Sequence, residues 1–162
     1  MPATTTSATA DPARLPPRWV IRSVWLGHRA LVRLTGKRLG LTRPTPGGRF
    51  GMLRLTSVGR HSGKRRQAML GYVEDGSNLV TLAMNGWGEA EPAWWLNLQA
   101  RPDASIETVD GPRRVHARAA VGDERDRLWA ALAASSGFGT DLDAYARRRS
   151  GETAVVVLEP YG

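Results

Sequence analysis

The chain has 162 residues, enough for one domain with one sizeable core. It carries 23 Lys and Arg against 15 Asp and Glu, and the net charge of +8 calls for an anionic partner: nucleic acid, an anionic lipid surface or an anionic cofactor. Cysteine is absent, which excludes disulfides, thiolate metal sites and cysteine nucleophiles.

Residues 1–17 are small, polar and proline-bearing, and read as a disordered lead-in that lacks the apolar core of a secretory signal. Residues 18–39 read as an amphipathic helix. At about 100° per residue, Arg18, Arg22, Arg29, Arg33 and Lys37 fall on one stripe, with Val20, Ile21, Val24 and Leu31 mostly opposite, and Gly27 weakens the middle. Such a helix either lies across the fold with a solvated basic face or rests on an anionic membrane with Trp19 and Trp25 near the headgroups. No stretch approaches the roughly 18 apolar residues of a membrane span, so the expected location is cytoplasmic, with peripheral contact at the inner face of the cell membrane as the alternative.

Residues 42–48 hold two prolines and a glycine pair and read as a linker. Residues 50–162 are expected to form the folded domain. Strands are expected over 50–58, 66–74 and 78–84, with Gly71 marking a bulge and Asp75-Gly76 a hairpin. Pro92 suits the first position of a helix that stops before Pro102. A second hairpin turns at Asp110-Gly111. On its far arm Val115, Ala117, Ala119 and Val121 alternate with Arg114, His116 and Arg118, which makes His116 a plain surface residue. Asp123 is a candidate N-cap for a helix burying Leu128, Trp129 and Leu132. Gly137 and Gly139 form a break, and Thr140-Asp141-Leu142-Asp143 opens a short helix carrying Tyr145. A valine-rich run over 153–159 reads as a central strand. Six strands and about four helices give a mainly β, α+β chain: a small antiparallel barrel with peripheral helices.

The chemistry concentrates in residues 53–97. Gly59-Arg60-His61-Ser62-Gly63-Lys64-Arg65-Arg66 is a tight basic turn between strands. Its glycines let backbone approach a ligand, and its arginine forks suit phosphate oxygens. Further on, Ala83-Met84-Asn85-Gly86-Trp87-Gly88 and Pro92-Ala93-Trp94-Trp95 place three tryptophans where a flat slot could take a planar ring. A phosphate clamp beside a ring slot is what a flavin-like cofactor requires. By themselves, though, basic turns are mostly solvated hairpin ends and tryptophans mostly core. A P-loop, a G-x-G-x-x-G and a G-x-S-x-G are all missing. The histidines His28, His61 and His116 are too scattered for a metal cluster, and the dispersed cations carry no nucleic-acid-binding signature. A cofactor would therefore carry the hard chemical step.

The run Leu55-Thr56-Ser57-Val58-Gly59-Arg60-His61-Ser62-Gly63-Lys64, the hairpin Tyr72-Val73-Glu74-Asp75-Gly76, the segment Pro92-Ala93-Trp94-Trp95-Leu96-Asn97-Leu98 and the ending Val155-Val156-Val157-Leu158-Glu159-Pro160 resemble the deazaflavin (F420)-dependent nitroreductase and quinone reductase family. The likeness covers residues 52–160. It implies a split β-barrel of flavin-reductase type and the cofactor F420. Arg60, His61, Ser62, Gly63, Lys64 and Arg66 would hold the phosphate and acidic tail. Met84, Asn85, Gly86 and Trp87 would lie along the deazaflavin edge, Trp94 would wall the pocket, and Tyr145 would donate a proton or wall it too. The expected reaction is hydride transfer to an apolar, electron-poor acceptor: a quinone, an activated alkene or a nitro compound. This chain departs from the family at His61 (usually lysine), Met84 (usually serine), Trp87 (usually glycine) and near Gly139 and Leu142 (usually tyrosines), which makes the pocket more apolar. The alternatives are a fatty-acid or lipid carrier on the same barrel and an FMN oxidoreductase. A homodimer is a further expectation.

Overall fold

The computed structural model describes residues 40–45, 48–86, 88–135 and 141–161. The expected lead-in and first helix, the glycine break at 137–139, Thr140 and Trp87 lie outside the described residues.

Six antiparallel strands close into a barrel in the order β1-β2-β3-β6-β5-β4. They are β1 (Gly51–Val58), β2 (Arg65–Asp75), β3 (Asn78–Leu82), β4 (Asp103–Thr108), β5 (Gly111–Ala119) and β6 (Val155–Pro160). The expected mainly β barrel with peripheral helices is what forms. β1 and β2 pair from Gly51↔Tyr72 to Val58↔Arg65, so the basic turn is the connection at the end of their ladder. β6 runs between β3 and β5, and β4 returns to β1 through Arg54↔Glu107, which closes the ring. The described helices are α1 (Ala93–Ala100), α2 (Gly122–Ala134) and α3 (Leu142–Ala146).

Strand alternation sorts the apolar residues into two cores. Leu53, Leu55, Leu70, Tyr72, Val156 and Leu158 fill the barrel, joined by Trp95 and Leu98 of α1. Val80, Leu82, Val155 and Val157 face outward and are covered by Leu128 and Leu132 of α2 and Leu142 of α3. The valine run of β6 is continuous because both of its faces are buried. Each fully buried leucine contributes about 1.5–3 kcal/mol. No helix among the described residues is long and apolar enough to cross a membrane.

Several local expectations are corrected. Against β1, Gly71 is not bulged: it pairs in register with Met52, and on its other edge the hydroxyl of Thr81 donates to its carbonyl at 2.7 Å. The inward series of β5 stops at Ala117. Ala119 is exposed and Val121 is 73% exposed, because the strand ends there and Ala120 turns into the outer core. Val121, not Asp123, occupies the N-cap of α2, and no side chain caps it; Asp123 sits in the first turn, where its charge favours the helix dipole. Asp141 caps α3 by accepting from the Ala144 N–H at 2.8 Å. Pro92 precedes α1 in an extended conformation as its N-cap, one residue earlier than the first helical position. His116 lies at the surface, as expected, and pairs with Asp103 at 3.0 Å.

Candidate functional site

The turn after β1 is built by two backbone hydrogen bonds, Gly59 N–H to Lys64 O and Gly63 N–H to Gly59 O, each 2.8 Å. Gly63 takes φ +64°, a conformation costly for any residue with a Cβ. Gly59 is closed in from another side: an added Cβ would stand 2.7 Å from Ser62 Oγ and 3.2 Å from Lys64 O. Arg60, His61, Ser62, Lys64, Arg65 and Arg66 are exposed. The Ser62 hydroxyl accepts from Lys64 N–H at 3.4 Å and from an Arg66 guanidinium nitrogen at 3.5 Å. Several other arginines are paired with carboxylates. Arg118 is forked onto Glu124 and also bound to Glu159, Arg127 is forked onto Asp75, and Arg54 pairs with Glu107. None of the four cations on the turn has an ion pair with a described carboxylate.

The turn is tied to the tryptophan helix. Arg60 N–H donates to Asn97 Oδ1 at 3.0 Å, and Asn97 is buried on α1. Trp95 enters the barrel core, while Trp94 is half-buried against that core and meets Trp95 edge-on, with ring centroids 6.3 Å apart at 61°. The two indoles thus take different roles, one inward and one toward the rim. Among the described residues Ser57 Oγ and Trp95 Nε1 are buried without a hydrogen-bond partner.

The second expected stretch starts from Ala83, buried in the barrel core. Ala83 N–H donates to Ala154 O and Gly88 N–H to Asn85 O, both at 2.9 Å, so the chain doubles back around exposed Asn85 and Gly86. Met84 turns its side chain the other way, into the outer core with Leu142 and Trp129. Tyr145 is half-buried on α3, with the Arg148 guanidinium 5.4 Å from its ring centroid. The structure therefore ties the turn to the helix that carries Trp94, while Met84 packs in the same outer core as Leu142 of α3, the helix that carries Tyr145.

Two residues were missed by sequence reasoning. Asn97 could have been noticed as the polar member of an otherwise apolar helix face. Arg149 is 7% exposed, although it ends a run of three arginines. It donates to Thr153 Oγ1 at 2.8 Å, Ala83 O at 3.3 Å and Glu89 O at 3.5 Å. Beside it, the Ser150 hydroxyl and backbone N–H bind the Glu89 carboxylate and hold its pKa below the usual range, with the Arg149 charge pushing the same way. Among the described residues no group of three His, Cys, Asp or Glu side chains is placed to hold a metal ion.

Residues 28–160 match the family described as F420H(2)-dependent quinone reductase. The chain belongs to this family. An F420H(2)-dependent quinone reductase of Mycobacterium tuberculosis is 30% identical over 149 residues, spanning 87% of this chain and 95% of that protein. A solved F420-H2 dependent reductase shares 26% identity and a TM-score of 0.60 over 74% of this chain and 96% of its own. A second solved structure, described as a domain-swapped dimer, shares 25% identity and a TM-score of 0.63 over 87% of this chain and 97% of its own. As a member of the quinone reductase family the chain is an oxidoreductase, and its residues fit the family's cofactor. Exposed cations without ion-paired carboxylates project from a glycine-bent turn, and that turn is fastened to a helix bearing a half-buried indole.

Proposed function

We propose that this quinone reductase family member uses reduced F420 to reduce a quinone or a similar apolar, electron-poor acceptor, including activated alkenes and nitro compounds. The observation that carries the reading is the cationic turn without described ion pairs, hydrogen-bonded to the helix of Trp94. When bound, the cofactor supplies a hydride from C5 of its reduced ring. The task of the protein is to bind, orient and exclude water.

In this reading Arg60, Lys64 and Arg66 grip the phosphate and the acidic tail, aided by the Ser62 hydroxyl and the His61 ring. Gly63 keeps the turn open to the approaching oxygens. Asn85 and Gly86 border the ring by their backbone, and Met84 supports them from the outer core, leaving no serine hydroxyl at that position. Trp94 walls the pocket. Tyr145 holds or passes a proton at its phenol oxygen. The domain-swapped relative supports a second inference, that two copies of this chain associate, which light scattering on the purified protein would test.

Titration of the purified chain with F420, FMN and a fluorescent fatty acid tests the main reading. Quenching by F420 alone, followed by oxidation of F420H2 on adding menadione, is the expected result. Tight fatty-acid binding with no response to F420 would overturn it.

A further inference from the structure

Arg149 joins two parts of the structure that the proposed function needs at a fixed separation. Its backbone continues directly from α3, with Arg149 N–H on Ala146 O at 3.0 Å and Arg148 N–H on Tyr145 O at 3.2 Å. Its side chain reaches back to the carbonyls of Ala83 and Glu89, the two residues that bracket the 84–88 stretch. Thr153 Oγ1 takes a third bond, and Thr153 is itself 2% exposed. Ala83 is held twice, through its carbonyl by Arg149 and through its N–H by Ala154. Glu89 is also held twice, through its carbonyl by Arg149 and through its carboxylate by Ser150.

A fully desolvated guanidinium is expensive to keep, and carbonyl and hydroxyl oxygens repay that cost less completely than a carboxylate would. Stability alone would be served better by an apolar residue of the same size. The planar fork does what an apolar residue cannot: it fixes two backbone carbonyls relative to each other and to the helix that presents Tyr145.

The geometry points to Arg149 as a positioning residue that sets the ring-edge stretch 84–86 against Tyr145. This inference rests on the proposed function for what the two parts do, though the strut itself does not. Arg149 acts through the backbone it holds and is placed in contact with neither cofactor nor acceptor. Grip on the charged tail belongs to the basic turn between β1 and β2. Loosening the strut should therefore leave cofactor affinity nearly intact and reduce turnover.

The test compares the full-length wild type with Arg149→Lys, which keeps the charge and loses the fork, and Thr153→Val, which keeps the arginine and removes one acceptor. Three readouts are used: amide hydrogen exchange without ligand, F420 affinity by fluorescence, and steady-state reduction of menadione. In Arg149→Lys, amides over 83–90 and 141–147 should exchange faster while those of β1 and β2 do not change. F420 affinity should stay within about threefold of wild type, because the turn that grips the tail is untouched. The kcat should fall on the order of tenfold to a hundredfold with little change in KM, as misplacement of a reacting group predicts. Thr153→Val should show the same pattern more weakly, and it carries the test if the lysine variant does not fold. Unchanged kcat in a variant with faster exchange at 83–90, or a loss of F420 affinity equal to the loss of kcat, would overturn the assignment. A wild type that fails to bind F420 ends the functional reading instead, and the exchange data then report on the strut alone.

Discussion

The backbone N–H of Arg60 donates to the side-chain oxygen of Asn97, 37 positions along the chain, at 3.0 Å. This bond sets the entry to the basic turn against α1, and Asn97 is 5% exposed, so water cannot readily replace it. Replacing Asn97 by Leu leaves a donor without its acceptor in a nearly dry place. The expected loss is about 1–3 kcal/mol of stability, read from urea unfolding. F420 affinity should fall as well, since the turn loses its anchor. Asn97→Asp, which retains the acceptor, should recover most of the stability; equal losses in the two variants would argue against the bond.

Long-range charge predicts a salt signature at the same turn. Arg60→Ala combined with Arg66→Ala removes two of its cations, and a charge-assisted hydrogen bond contributes about 1.5–3 kcal/mol. F420 affinity at low ionic strength should drop on the order of a hundredfold or more. Salt screens exposed charges, so the gap between wild type and variant should narrow as salt is raised. Affinity unchanged at low salt would show that the cofactor tail is held elsewhere.

Gly63 tests the shape of the turn apart from its charge. Its φ of +64° lies in the left-handed region, and no atom of the described residues stands within 4 Å of an added Cβ. The penalty for Gly63→Ala is therefore conformational and not steric: about 1–2 kcal/mol, measured by thermal or urea unfolding. Gly63→Asn should cost less, because asparagine tolerates this region better.

Much of this architecture is legible in the residues themselves. Asp75-Gly76 announces its hairpin, and Gly76 sits at φ +62°. Val155 to Val157 announce a strand buried on both faces. Other features depend on tertiary context that local pattern does not carry. The alternation of β5 runs on in sequence through Ala119 and Val121, yet both of these are exposed: pairing with β6 ends at Ala119, and Ala120 turns into the outer core. Arg147, Arg148 and Arg149 look alike in the chain; the third is buried because Ala83, Glu89 and Thr153 bring it oxygens from segments 4 to 66 positions away. The candidate site divides along the same line. The cluster at 60–66 is contiguous and visible, whereas its attachment through Asn97 and the bracing of 83–89 through Arg149 exist only once the barrel closes.

A pH effect is expected at the rim formed by β4, β5 and the end of β6. The Tyr161 hydroxyl donates to Asp103, and His116 adds a second bond; together they hold the Asp103 carboxyl below the ordinary aspartate range, the tyrosine being the larger cause. The same bond raises the Tyr161 phenol. A depressed carboxyl favours the folded state above about pH 4 and loses that contribution as pH falls through its lowered value. Tyr161→Phe should move the Asp103 titration up toward the ordinary range, as followed by NMR of the side-chain carboxyl carbon. A titration curve that does not move would show that the phenol makes no such bond in solution.

The two cores make opposite demands on neighbouring residues of β6, and substitution can separate them. Val156 faces the barrel interior and Val157 faces α2, both with 0% exposure. Truncating either to Ala removes two buried methyl groups and should cost about 2 kcal/mol in urea unfolding, although only one of the two lies inside the barrel. Val121 continues the β5 pattern in sequence and is 73% exposed, so Val121→Ala should stay within about 0.5 kcal/mol of wild type. If Val157→Ala behaved like Val121→Ala, the helices would not cover β6 in solution, and Met84, which packs against that same outer core, would lose its support as well. A full penalty at Val157 with none at Val121 is the result that two buried layers require.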